Sequence, residues 1–281
     1  MNNDSVGAYL LVDNGLLHGR SASYTEVDPD SRPSWLVPIY PDQALAASPF
    51  LVDIEAAYEA GDLDRAMRYL NACTPPLHVS IVETKLDLEQ LARHLRRFIF
   101  ILDPEARQFT LRYADCTILA SLSSILTSAQ WATMRGPIAR WGVHDRSGAV
   151  IHLPRIESGQ AVPTPLCLDQ VQLAALDEAS EPDHYIAKVN AMRHGAALPG
   201  NTAERHTWAQ AARNTWRSAD NSNPNILMFL TEAALVSRGK ILHPMVIGDL
   251  LTIVELDAFR RKLRELTEDF EQQSFTTARE T

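Results

Sequence analysis

Residues 91–104 read LARHLRRFIFILDP, and within this stretch a basic helical pattern passes directly into an apolar run. Just before it, Asp87 and Gln90 have the spacing of a capping box, which marks the start of a helix. The apolar residues of this helix recur at steps of three, four and three and so share one face: Leu88, Leu91, Leu95 and Phe98. The segment FIFIL (98–102) is short and apolar, as is typical of a buried strand. A helix that leads straight into a strand favours an α/β fold.

The basic residues of this stretch are Arg93, Arg96 and Arg97, which lie away from the apolar face in the last turns of the predicted helix. A solvent-exposed face explains them, because the helix dipole favours cations near a C-terminus. A role in docking a partner is the alternative, and the pattern alone leaves it open. Binding to nucleic acid is disfavoured, because the chain has 35 acidic and 26 basic residues, a net charge of −9, and neither half is basic.

Several other short runs in the first half of the chain have the composition of strands. Each is apolar or alternating and is bounded by Asn, Gly, Pro or Asp. They are AYLLVD (8–13), WLVPIY (35–40), LHVSIV (77–82), QFTLRY (108–113) and AVIHL (149–153). Because helical patterns lie between them, the sequence predicts an α/β N-terminal lobe with a mixed β-sheet and flanking helices.

A stretch without periodicity, PRIESGQAVPTP (154–165), follows these runs. Its proline, glycine and serine content is typical of a linker. A length of 281 residues also suggests two domains. We therefore predict an α/β domain over residues 1–158, which we expect to fold alone, and a helical lobe over residues 159–281.

The predicted helical lobe has recognisable helix boundaries. Asp169 and Gln172 have the spacing of a capping box, and Pro182 is predicted to start a second helix. Residues 226–238 are apolar nearly all round, as expected of a buried central helix. We therefore expect this lobe to be an α-helical bundle.

The last predicted helix carries an apolar stripe. Its members are spaced 3, 4, 3 and 4 residues apart: Leu256, Phe259, Leu263, Leu266 and Phe270. The stripe could pack on the 226–238 helix, or it could receive an amphipathic segment of a partner. Phe259 and Leu263 are thus candidates both for the core and for partner binding.

Two tryptophans, Trp131 and Trp141, flank the segment MRGPIAR. Thr127 and Gln130 form a capping-box pattern at the start of the helix that carries Trp131. An indole buries a large apolar area, which favours a place in the core. A platform for a binding partner is the alternative.

The composition bears on location. The N-terminal sequence has no basic start and only a short apolar run, residues 8–12, so we expect no signal peptide. No apolar run approaches the roughly 18 residues of a membrane span, so we expect no membrane contact. The three cysteines, Cys73, Cys116 and Cys167, are odd in number and far apart. They fit reduced, buried thiols in a cytoplasmic protein.

The sequence offers no signal for catalysis. It contains no GxGxxG, GxxxxGK[ST], HExxH or GxSxG motif, and its nine histidines are scattered. We therefore predict no catalytic residues, no cofactor and no metal site, and we expect a protein that is not an enzyme.

Longer blocks of sequence resemble a known family. HLRRFIFI (94–101), followed by FTLRYADCTILASLSSILTSAQWATMRGPIARW (109–141), resembles the N-terminal domain of the type VI secretion effector-chaperone, or adaptor, family. The resemblance covers about residues 8–142. Its ordered blocks are the early strand Tyr9–Asp13, SPFLVDI (48–54), His94–Arg97, the set Arg112, Tyr113 and Asp115, and Gly136–Ile138 ahead of Trp141.

One block departs from the family pattern. Relatives read Asp-Pro-Arg at the start of a helix, whereas this chain has Asp115, Cys116 and Thr117. Asp115 can still cap the helix, but the proline that favours the first helical position is absent. The arginine is absent as well, and Thr117 stands in its place, so we expect this chain to lack any contact that the arginine makes in relatives.

The resemblance implies a cytoplasmic adaptor that binds one toxic effector and helps to load it onto the spike protein of the secretion apparatus. Its partners would be that effector and the spike, with no nucleic acid and no membrane. An immunity or scaffolding protein associated with a toxin is the alternative, and an unrecognised hydrolase comes third. The candidate partner-binding residues are Arg93, Arg96, Arg97, Arg112, Trp141, Phe259 and Leu263.

Overall fold

A computed structural model describes residues 6–19, 24, 32–40, 42–157, 160–193, 196–253 and 255–277. The chain divides into two compact units, Met1–Ala179 and Ser180–Thr281. The predicted domain boundary between residues 158 and 159 lies outside the described residues.

The described residues of the first unit include nine strands: β1 (Gly7–Val12), β2 (Leu36–Pro38), β3 (Phe50–Asp53), β4 (Val79–Thr84), β5 (Phe100–Leu102), β6 (Gln108–Thr110), β7 (Ile138–His144), β8 (Val150–His152) and β9 (Leu166–Cys167). Six of them form a sheet of order β2-β3-β1-β4-β7-β8, in which every neighbouring pair is antiparallel. The other three form a small sheet of order β6-β5-β9, where β5 pairs antiparallel with β6 and parallel with β9. The predicted α/β class is confirmed, and the mixed pairing lies in the smaller sheet.

Helices cover both faces of the large sheet: α1 (Ile54–Glu59), α2 (Leu63–Leu70), α3 (Leu88–Arg96), α4 (Cys116–Ile125) and α5 (Ser128–Arg135). Successive residues of β1 point to opposite faces, so they enter different cores. Tyr9 and Leu11 lie in a core with residues of α3, α4 and α5. Leu10 and Val12 lie in a second core with residues of α1 and α2.

The predicted capping boxes are confirmed. At the start of α3, the Asp87 side chain accepts a hydrogen bond from the Gln90 N–H, and the Gln90 side chain accepts one from the Asp87 N–H. Thr127 and Gln130 make the same reciprocal pair at α5. Such pairs satisfy backbone donors that have no partner within the helix, which is why the pattern fixes where a helix begins.

Residues after the predicted linker also belong to the first unit. Leu166 and Cys167 pair with β5, and Leu166 and Leu168 are buried in the core that contains Tyr9. A strand of two residues carries too little periodicity to be recognised in the sequence. For this reason the first compact unit extends further along the chain than the predicted domain.

Five further helices are α6 (Gln170–Met192), α7 (Thr202–Ser218), α8 (Pro224–Val236), α9 (Pro244–Leu251) and α10 (Leu256–Thr277). The predicted start of a helix at Pro182 is wrong, because Pro182 lies inside α6. An interior proline removes one backbone hydrogen bond and is normally unfavourable. The adjacent Glu181 forms an ion pair with the buried guanidinium of Arg213 on α7, and this contact stabilises the part of α6 around Pro182.

The predicted buried central helix corresponds to α8. Ile226, Leu230 and Ala234 of α8 share a core with Phe259 and Leu263 of α10. Among the residues that the structure describes, no helix is long and apolar enough to cross a membrane.

Candidate partner-binding site

The three predicted arginines at the end of helix α3 are all exposed, and they differ in what they contact. Leu91 and Leu95 are fully buried on its inner face. Arg93 and Arg97 are exposed on the other side, in its last turn or just after it. The guanidinium of Arg97 lies over the ring of the neighbouring Phe98, 5.6 Å from its centroid. These two side chains therefore occupy the solvent-facing position that the sequence predicts.

Arg96 is exposed as a residue but is anchored to the sheet. Its Nε donates to the Ile39 carbonyl at 3.1 Å, and its Nη2 donates to the Pro38 carbonyl at 2.9 Å. These carbonyls lie at the end of β2, which is an edge strand of the large sheet. The guanidinium thus satisfies backbone acceptors at a sheet edge, so Arg96 connects α3 to β2 rather than only facing water.

His94, between Arg93 and Leu95, is buried and connects α3 to α5. Its Nε2 donates to the carbonyl of Met134 at 2.8 Å. Burial lowers the pKa of His94, the Met134 carbonyl raises it and the charge of Arg97 lowers it further, so the ring is neutral at pH 7. A Cβ on Gly136 would lie 2.8 Å from Cε1 of His94, and Gly136 has a φ of 40°. Only glycine fits both conditions without strain.

A charged cluster forms where β1 ends and α4 begins. Arg112 Nη2 lies 3.0 Å from Asp13 Oδ2 and 3.8 Å from Asp115 Oδ2. Asp13 also accepts from the Gly15 N–H at 2.9 Å, and Asp115 accepts from the Thr117 N–H at 2.9 Å. The two carboxylates therefore cap short helical segments and neutralise one arginine.

The electrostatics of this cluster follow from partial burial. Burial raises the pKa of Asp115, against the lowering effect of its hydrogen bonds from Thr117. Burial lowers the pKa of Arg112, but Asp13 and Asp115 raise it more, and the net shift is upward. The side chain of Arg112 is still 52% exposed, so part of the guanidinium faces solvent beside the carboxylates.

The structure brings the sequence blocks of the resemblance into contact with one another. Tyr113 donates its hydroxyl to the Leu95 carbonyl at 3.0 Å, which joins the arginine-aromatic block to the His-Leu-Arg-Arg block. The His94–Met134 bond joins that same block to the segment before Gly136. The blocks thus form one frame, which presents Arg93, Arg97 and part of Arg112. No local pattern reveals this, because Asp13 and Arg112 are 99 positions apart.

The departure at residues 115–117 keeps its capping function. The Asp115 carboxylate accepts from both the N–H and the hydroxyl of Thr117. Cys116 is buried, donates its thiol to the Val79 carbonyl at 3.1 Å, and has its pKa raised by burial to about 12. Cys73 is half-buried and Cys167 is exposed, so the prediction of buried thiols is correct only for Cys116.

Three of the predicted partner-binding residues lie in cores. Trp141 is fully buried, donates to the Ser80 hydroxyl at 3.1 Å, and stacks on Trp131 at 6.3 Å between ring centroids. Phe259 and Leu263 are 0% and 4% exposed. The core alternative thus explains their positions, and a role in partner binding stays a prediction that would require these cores to open.

Metal ligands are not grouped within the described ranges: there, no three His, Cys, Asp or Glu side chains are placed to hold an ion.

A protein-family model matches most of the region that forms the frame and presents its arginines. Residues 8–133 match the model of a family described as a domain of unknown function, DUF4123. The match begins in β1 and ends in α5, so it includes α3 and the cluster of Asp13, Arg112 and Asp115. No curated protein and no solved structure matches the chain.

Proposed function

We propose that this chain is a non-enzymatic, cytoplasmic adaptor of a type VI secretion system. In this role it binds one secreted effector and helps to load it onto the spike protein. The family match over residues 8–133 supports the proposal, because DUF4123 domains are associated with type VI effector adaptors. The blocks that resemble adaptors cover almost the same residues.

The observation that carries the proposal is the arginine surface on the frame. Arg93 and Arg97 are exposed on α3, while His94 and Arg96, which alternate with them, fix the helix to α5 and β2. A helix held in this way keeps the exposed Arg93 and Arg97 in place before a partner arrives. Arginine is enriched at binding hot spots because its planar group pairs with carboxylates while its stem packs.

We assign this arginine surface to an acidic patch on the spike or the effector. Complementary charge accelerates encounter and selects the partner more than it adds affinity. The helical second unit would then supply the contact that is specific to one effector, since its sequence resembles the family only loosely.

Affinity purification of the tagged chain from its native cell at low salt, followed by mass spectrometry, tests the proposal. We expect the spike protein and one large toxin in the eluate. A chain that elutes without either protein would contradict the proposal.

Two charge-reversal variants sharpen this experiment. Arg93→Glu with Arg97→Glu should reduce recovery of at least one partner. Arg68→Glu with Arg261→Glu imposes the same change in net charge at two other exposed positions and should leave recovery unchanged. Equal recovery with both double variants would exclude the arginine surface as the contact.

A further inference from the structure

The second unit contains an apolar groove. It has a volume of about 690 Å³ and lies between α7 and α9, beside the turn that follows α8. Its apolar lining comes from both helices and the turn: Trp208, Ala211, Leu242 and Val246. Met245 lies next to this lining and is 85% exposed. A concave apolar surface of this size fits the typical range of binding pockets.

The groove has a basic rim. Arg238 and Lys240 are exposed on the segment that forms one wall. None of the described residues that line the groove is acidic. Since the whole chain has a net charge of −9, this positive rim runs against the overall charge.

Arg238 occupies a backbone position at which glycine is usual. Helix α8 ends with a hydrogen bond from the Gly239 N–H to the Ala234 carbonyl at 2.7 Å, while Arg238 has a φ of 53° and Gly239 a φ of 79°. Helices commonly end with a left-handed glycine, because a side chain is strained there. Strained residues cluster at functional sites, so an arginine at this position points to a use for its charge.

The floor of the groove is preformed. A Cβ on Gly239 would lie 2.9 Å from Cδ1 of Trp208, and a Cβ on Gly200 would lie 2.6 Å from its Cη2. Two glycines thus allow the backbone to approach the indole closely from two sides. Trp208 is thereby held in place and offers its half-buried ring to the groove.

We propose that this groove binds an acidic segment of the secreted effector, with a large apolar side chain on Trp208 and a flanking carboxylate on Arg238. An apolar floor selects the anchor, and the basic rim selects its acidic neighbours. The source of the segment rests on the proposed function, whereas the chemistry of the groove does not.

Fluorescence anisotropy of the full chain with three synthetic peptides tests the proposal. The probe alternates pairs of glutamate and leucine; one control replaces glutamate by lysine, and the other replaces leucine by serine. We expect the probe to bind about tenfold or more tightly than either control, a difference readily resolved in Kd, and to loosen with added salt. Absence of probe binding, or equal binding of the lysine control, would overturn the proposal.

Variants place the probe in the groove. Ala211→Phe should fill the groove and abolish probe binding. Arg238→Gly should weaken binding, although it relieves the strain of a left-handed backbone. Asp220→Gly is the matched control: it removes a side chain from a left-handed position, φ 51°, outside the groove and should bind the probe as wild type does. Binding that survives both Ala211→Phe and Arg238→Gly would refute the site.

Sedimentation of the full chain without peptide distinguishes another occupant. A dimer that Ala211→Phe dissociates would show that a second copy fills the groove, and this would overturn the proposal. Because these assays need neither effector nor spike, their failure is distinguishable from a failure of the purification experiment.

Discussion

Arg96 anchors α3 to β2 through two hydrogen bonds, whereas Arg93 and Arg97 face solvent, and this difference can be measured. Arg96→Met keeps the aliphatic stem of the side chain but removes both hydrogen bonds to β2. Hydrogen bonds to charged groups contribute about 1.5–3 kcal/mol each when they are buried. Because Arg96 is exposed, water replaces part of this interaction. We therefore expect a loss of about 1.5–3 kcal/mol in total for the two bonds.

Arg93 and Arg97 should respond differently. Arg93→Glu with Arg97→Glu loses a dipole interaction of under about 1 kcal/mol at each position. Exposed ion pairs contribute similarly little. The double variant should therefore unfold close to wild type and yet bind its partner more weakly. Arg96→Lys keeps the charge but replaces the planar guanidinium, which donates two hydrogen bonds here, by an ammonium group. Its stability should lie between those of Arg96→Met and wild type.

Urea unfolding followed by tryptophan fluorescence measures these effects; Trp35, Trp131 and Trp141 report on the first unit, while Trp208 and Trp216 report on the second. The midpoint should fall for Arg96→Met with an unchanged slope, which indicates a loss of stability without a change in the surface exposed. Wild-type stability of Arg96→Met would refute the anchor. If Arg93→Glu with Arg97→Glu lost as much unfolding free energy as Arg96→Met, the distinction between the anchoring Arg96 and the other two arginines would be refuted.

Three further predictions concern the cores. Phe259→Ala should destabilise the second unit by about 3–5 kcal/mol, as large-to-small core changes do; full stability in thermal unfolding, with partner binding lost, would instead make its stripe the docking groove. His94→Gln should flatten the pH dependence of stability. Burial lowers the pKa of His94 in the folded protein below the unfolded value of about 6.5, so the wild type loses stability as pH falls below that value. Urea unfolding at pH 7 and pH 5 measures this, and an equal loss of unfolding free energy between the two pH values in wild type and variant would contradict it. Fragments of residues 1–158 and 1–179 should both melt cooperatively, the longer one at a higher temperature because it retains β9; calorimetry that shows the same transition temperature in both would contradict this.

Local patterns predicted the helix starts well, because a capping box involves only four neighbouring residues. The pairs Asp87–Gln90 and Thr127–Gln130 both form as expected. The short apolar run of β1 likewise predicts a strand, although not which core each side faces. These features depend on short-range geometry, which the sequence carries directly.

Features that depend on distant residues were not predictable. Arg96 has the same local pattern as Arg93 and Arg97, and only the position of β2 makes it an anchor. Pro182 has the sequence features of a helix start, yet it lies inside α6, where its neighbour Glu181 pairs with α7. In each case a tertiary contact outweighs a local preference.

Loading of an effector onto the spike can be tested with a reconstituted mixture. The purified chain, the toxin recovered with it and the spike protein would be combined, and their masses measured by sedimentation with and without the chain. We expect a ternary complex whose effector and spike separate when the chain is left out, and whose assembly weakens in Arg93→Glu with Arg97→Glu. An effector that binds the spike equally well without the chain, or a chain that binds neither protein, would contradict it.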